Sequence, residues 1–274
     1  MKSGKQREQA MARVDVLAML IACFFIWIIL AMFQGEGGQT NALRCKMNLQ
    51  RLQQAMLIYS GDHGGDTPKN VYGWPYGYIE TVEGSWVLGN AQHDMDASNI
   101  KRGVLWDYVE DLSIYRCPSD DSTTIEIPGR QRFRSYSMSV SFVYSRLPRY
   151  GEPGYFIPFF VANVSDIDDP SHMFGFIGVS SETIGSGFFG PTGIAGNEQS
   201  DRLLRWKELP SERHNDGTYV TFMDGSVHYK QWLHPNKRRS GIKTPPYNDK
   251  DLEDLRWLQE RTSKQLWVPA ENPR

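Results

Sequence analysis

Residues 16–33 read VLAMLIACFFIWIILAMF, an unbroken apolar run without a charge, amide or hydroxyl. As a helix rising about 1.5 Å per residue it would be about 27 Å long, close to the roughly 30 Å hydrocarbon thickness of a bilayer. The run therefore predicts one retained transmembrane helix over residues 14–34. A cleaved secretory signal is the rival reading, but its apolar region usually has about 7–15 residues and ends at a small-x-small site. Here Gln34-Gly35-Glu36-Gly37-Gly38 follows instead. Lys2, Lys5, Arg7 and Arg13 precede the run, whereas Glu36 is the only charge in the ten residues after it. This asymmetry predicts a cytoplasmic leader over residues 1–13 and an exported body.

The remainder of the 274 residues is long enough to bury a real core, expected as one exported α+β domain over residues 61–234. A formal net charge of −2 without a basic stripe argues against a nucleic-acid partner. Of the three cysteines, Cys23 lies inside the apolar run. Cys45 and Cys117 either pair as a disulfide in an oxidising compartment or remain two buried thiols. Eight Trp and thirteen Tyr suit a large core or a sugar-contacting face.

Beyond the run, Gly35, Gly37 and Gly38 predict a hinge at residues 35–39, since each costs about 1 kcal/mol relative to Ala in a helix. Residues 40–60 regain helical period, with Cys45, Leu49, Leu52, Met56 and Tyr59 on one stripe. Ser60, Gly61, Gly64, Gly65 and Pro68 end that helix. Residues 69–107 hold Trp74, Tyr76, Tyr78, Trp86 and Trp106, read as packing in preference to sugar stacking. Residues 155–164 and 173–179 are predicted strands, and residues 184–196 an irregular loop. Residues 218–223 and 226–230 predict a hairpin around Asp224-Gly225, a type I′ pair setting Phe222 opposite Val227 and Val220 opposite Tyr229. After a linker, residues 249–261 predict a short amphipathic helix with Asp249 as N-cap.

Ordered landmarks run through the chain: the Cys45 helix with its Gly-rich end, Arg116-Cys117-Pro118-Ser119-Asp120, Ser135-Tyr136-Ser137-Met138, Ile167-Asp168-Asp169-Pro170-Ser171, and Arg213-His214-Asn215-Asp216-Gly217 leading to Asp224-Gly225. Together they resemble a bacterial family of pilin-like proteins with a prepilin-type N-terminus and a C-terminal His-x9-Asp-Gly element, related to type II secretion pseudopilins and type IV pilins. The resemblance implies a long N-terminal helix, membrane-spanning then amphipathic, packed on a mostly antiparallel sheet that ends in the Asp-Gly hairpin. It also implies a single-pass protein of the bacterial inner membrane with a periplasmic or extracellular domain. Its partners would be the lipid bilayer, other pilin-like subunits and a secretion or pilus assembly platform. Processing would fall between Ala10 and Met11, with Asp15 at the fifth mature position, where family members commonly carry Gly before the cut and Glu fifth.

On this reading the chain is a non-catalytic structural or adaptor subunit without a cofactor. Its alternatives are a tethered module with a glycan partner and a hydrolase centred on His214. His214 beside Asp216 or Asp224 has the composition of a general base or metal ligand. No serine elbow, His-Glu-x-x-His or Cys-x-x-Cys accompanies it. The favoured role is structural, with the ring bonded to hairpin backbone or to the turn carboxylate. Asp62-His63-Gly64-Gly65-Asp66 offers too few oxygens for Ca²⁺ and reads as a helix-ending turn. Asp94 with Asp96, and Asp120 with Asp121, read as solvated loops.

Overall fold

The computed structural model describes residues 2–73, 78–144, 161–190, 205–235 and 245–262, and within the first helix the side chains at 19, 21, 23–26 and from 38 onward. The chain divides into two compact units, Met1–Leu43 and Arg44–Arg274, each described by itself. Helix α1 (Lys2–Asp62) provides the first unit and the opening turns of the second. It stays helical through Gly35, Gly37 and Gly38, where a hinge was expected. Glycine weakens a helix by about 1 kcal/mol without forbidding it.

In the first unit Met19, Ile21, Phe24, Phe25 and Ile26 are exposed. Among the described residues no helix is long and apolar enough to cross a membrane. This corrects the expected transmembrane helix, and with it the single-pass placement in the bacterial inner membrane and the inside–outside orientation. The expectation rested on a run of eighteen residues, at the short end of the roughly 17–25 residues a span requires. Ala10, Met11 and Asp15 fall in α1, with side chains outside the described residues.

The second unit corrects the pilin-like architecture. Instead of one mostly antiparallel sheet, the described residues form two sheets, each mixed. In the smaller, β1 (Asn70–Gly73) pairs antiparallel with β2 (Glu80–Thr81) and parallel with β4 (Val143–Tyr144). The larger is built from β3 (Tyr136–Ser139), β5 (Phe174–Gly178), β6 (Phe188–Phe189), β7 (Gly217–Phe222) and β8 (Val227–Gln231). Their order across the sheet is β6-β3-β5-β7-β8. Strand β6 runs parallel to β3, and the other pairs are antiparallel. Local composition identifies short apolar strands but carries no information about partners distant in sequence, so the parallel pairings were not legible.

Strands β3 and β5 are buried along their whole length because the larger sheet is covered on both faces. On one face, Phe176 and Met138 share a cluster with Cys45, Leu49, Leu52 and Met56 of α1, and with Trp86 and Tyr115. The expected stripe of residues 40–60 is thus the inward face of about the last five turns of α1. On the other face, Phe174, Ile177, Val220 and Phe222 meet Trp206, Trp232, and Leu255 and Leu258 of α3 (Asp249–Gln259), α2 being the single turn Ser98–Lys101. Helix α3 is capped by Asn248, whose side chain accepts from Asp251 N–H, one residue before the expected cap.

Phe174 and Phe176 are two positions apart yet face opposite clusters because β5 is bulged. Phe174 pairs with Phe222 and Ile177 with Val220, so β5 spends one extra residue there. Inside the bulge Phe176 N–H donates to Thr221 Oγ1 at 2.7 Å, and that hydroxyl donates to the buried Gln53 Oε1 at 2.7 Å. A Cβ on Gly175 would sit 2.0 Å from Gln53 Oε1, which accounts for the glycine.

The β7–β8 hairpin exists, but its register differs by one from expectation: Thr221 pairs with Val227 and Val220 with His228. Phe222 N–H bonds to Ser226 O and Gly225 N–H to Phe222 O, closing a three-residue loop. Gly225 has φ +88°, whereas Asp224 is not in the left-handed region, so the turn is not the type I′ pair. Asp-Gly serves both turn types, and the wrong one was inferred. The predicted strand over residues 155–164 lies mostly outside the described residues, and residues 184–196 contain β6 before their description stops.

Thr221→Val keeps the side-chain shape while removing the bonds that Thr221 Oγ1 makes to Phe176 N–H and Gln53 Oε1. It is expected to cost about 1–3 kcal/mol in urea unfolding, with an unchanged denaturant slope.

Candidate functional site

Three segments of the second unit meet in the larger sheet's interior. The first is α1, where Cys45 opens the apolar stripe. The second follows the short 3-10 turn Leu112–Tyr115 and carries Cys117. The third is the tight turn that starts β7. In it His214 and Gly217 bridge, and Asn215 and Asp216 both adopt positive φ, 48° and 58°. Asn and Asp tolerate that region better than other non-glycine residues. The turn therefore explains the His-Asn-Asp-Gly spelling and aims the imidazole inward.

Cys117 Sγ and His214 Nε2 lie 3.2 Å apart. Cys45 accepts from the Tyr136 hydroxyl at 3.3 Å. The ligand atoms of Cys45, Cys117 and His214 all lie within 4.8 Å of one another. All three residues are buried, at 2, 2 and 7 % exposure. No disulfide joins the cysteines, which are free thiols. Hydrogen bonding to Cys117 pushes the Cys45 thiol up, and burial adds to this. The same bond, helped by His214 and the Ser119 backbone, outweighs burial and brings the Cys117 thiol down to about 5.

A second link runs beside the first. Arg213 and Asp120 form an ion pair at 2.9 Å, both largely buried. Ser135 donates its hydroxyl to Asp120 Oδ2 at 2.5 Å and accepts from Cys117 N–H at 3.0 Å. Burial works against the Asp120 carboxylate, but Arg213, Ser135 and Ser122 together hold it below the usual carboxylate range. Arg-Cys-Pro-Ser-Asp and Arg-His-Asn-Asp-Gly thus face each other through two contacts, Cys117 with His214 and Asp120 with Arg213.

Several sequence expectations change here. The ring of His214 meets Cys117, not the hairpin backbone or Asp224. Asp224 is exposed and accepts from Ser226 N–H at the far end of β7. The nine-residue spacing spans a turn, a six-residue strand of about 20 Å and the next loop, so His214 and Asp224 cannot share one site. Asp120 and Asp94 are buried, not solvated, while Asp96 and Asp121 are exposed. Residues 62–66 are the turn that ends α1, with His63 stacked on Tyr59 at 4.0 Å. Trp86 is wholly buried and donates Nε1–H to Gly187 O, Trp106 is half-buried, and Tyr78 stacks on His93. Trp74 and Tyr76 lie outside the described residues. What sequence reasoning missed was the convergence. Cys45, Cys117 and His214 each stood in a separate landmark, and no spacing between them indicates a shared site.

Buried charge also collects around Arg134, which is fully buried and donates to the carbonyls of Tyr136, Gly185 and Ser186. Burial pushes Asp94 up to about 6 and Glu208 up to about 8, against the opposing fields of Arg134 and, for Glu208, Lys207. A carboxyl raised on folding binds its proton more tightly in the native state. Its contribution to stability is full below the unfolded value of about 4.5 and is lost as pH rises through about 8. Glu208→Gln is therefore expected to be more stable than the parent above pH 8 by more than about 1 kcal/mol. That difference should close toward pH 4.5 in denaturant titrations across pH.

No family model, curated protein or solved structure matches this chain.

Proposed function

We propose that the chain is a non-catalytic structural or adaptor protein, acting through contacts with protein partners. The observation that carries this reading is the inward aim of His214. A general base must come within about 2.6–3.2 Å of the proton it takes from substrate. His214 Nε2 uses that reach on Cys117 Sγ, inside the core. The Tyr229 hydroxyl donates to the carbonyls of His214 and Asn215 at 2.7 Å, fixing the turn behind the ring. Trp86, one of the aromatics a sugar platform would use, is core. The residues with the richest chemistry thus support a role in holding the body together.

His214→Ala is expected to lose about 1–3 kcal/mol of stability and to leave the chain's background rate on ester, peptide and glycoside substrates unchanged. A hydrolytic activity present in the parent and absent from a folded His214→Ala protein would overturn the proposal.

A further inference from the structure

The geometry points to a soft-metal site: we infer that Cys45, Cys117 and His214 bind one d10 cation, Zn²⁺ or Cu⁺, as two thiolates and one imidazole. This goes beyond the structural or adaptor reading and does not depend on it.

The donor set comes first. Two sulfurs and an imidazole nitrogen select Zn²⁺ or Cu⁺ over Mg²⁺ or Ca²⁺, which prefer oxygen. Zinc takes sulfur at about 2.3 Å and imidazole nitrogen at about 2.0–2.1 Å. Tetrahedral angles between such bonds put neighbouring donors about 3.5–3.8 Å apart. Here the three donors already lie within 4.8 Å of one another, with Cys117 Sγ and His214 Nε2 at 3.2 Å. Shifts of a few tenths of an ångström to about one ångström would close them on an ion.

The surroundings come next. Tyr136 donates its hydroxyl to Cys45 Sγ, the kind of outer contact that orients a metal-bound thiolate. Ser135 holds the Cys117 backbone and is itself held by Asp120 and Arg213, while Tyr229 holds the His214 backbone. The backbones of Cys117 and His214 are thus anchored independently of the ligand atoms. Charge balances for zinc: two thiolates with Zn²⁺ are neutral overall, which suits a buried site, whereas Cu⁺ would leave one negative charge. On binding, any proton still held by Cys45 or Cys117 is released to solvent, and a lone pair on each sulfur forms a bond to the metal. A disulfide would explain the two cysteines but would leave a buried imidazole directed at one of them without a purpose.

The test uses the full chain carrying Cys23→Ser, so that only the two buried thiols report, reduced and stripped by chelator. Titration with Co²⁺ is expected to give thiolate-to-metal charge-transfer absorption saturating at one equivalent. One equivalent of Zn²⁺ should displace the Co²⁺ and raise the melting temperature. A Cu⁺ titration against a colorimetric chelator decides between the two ions, and tighter retention of either supports the site. Cys117→Ser and His214→Ala are each expected to weaken metal binding at least about tenfold. Should those variants fail to fold, the Co²⁺ spectrum of the Cys23→Ser protein decides alone. Absence of charge-transfer absorption and of any melting shift with Zn²⁺ or Cu⁺ would overturn the inference. So would unchanged affinity in folded Cys117→Ser, or a protein that, once reduced, binds no metal and reoxidises to a Cys45–Cys117 disulfide.

Discussion

The second unit depends on one meeting point, where Cys117 and His214 touch at 3.2 Å and Cys45 completes a triangle of ligand atoms within 4.8 Å. Each residue belongs to a different structural piece: the last turns of α1, the segment after the 3-10 turn Leu112–Tyr115, and the turn that launches β7. Joining them sets where the helix lies against the larger sheet and where β7 begins. The neighbouring Asp120–Arg213 pair joins two of the same pieces a second time. A contact between segments this remote in sequence constrains the folded topology far more than any local turn does.

From that point the sheet builds outward by a few unusual choices. The bulge in β5 turns Phe174 and Phe176 to opposite faces, so one strand feeds two cores. Gln53 and Thr221 replace the hydrogen bonding the bulge disrupts, and Gly175 leaves room for Gln53. Behind the sheet, α3 closes the second core. Its Asp254 accepts from Leu233 and His234 N–H groups and pairs with Lys230, tying the helix to the end of β8. The C-terminal amphipathic helix is thereby part of the domain's own packing.

The stripe Cys45, Leu49, Leu52, Met56 could be read directly, because one apolar face repeats at the helical spacing. The β5 segment was legible as a short apolar run, which suits a strand buried on both faces. Gln53 escaped notice because a buried amide leaves no hydrophobic signal, although it bonds the bulge. The Asp-Gly hairpin was recognised but set one residue out of register, since the same dipeptide closes two-residue and three-residue loops. The apolar run of residues 16–33 suggested a membrane helix by length alone, the criterion with least margin. The site itself was visible as three separate residues. Their meeting depends on tertiary structure, which no local spacing encodes.

X-ray absorption at the metal edge of the Zn²⁺-loaded full chain tests the meeting of these three side chains most directly. The account predicts a first shell of two sulfurs near 2.3 Å and a nitrogen of an imidazole near 2.0 Å. A shell of oxygen and nitrogen alone, without sulfur, would contradict it.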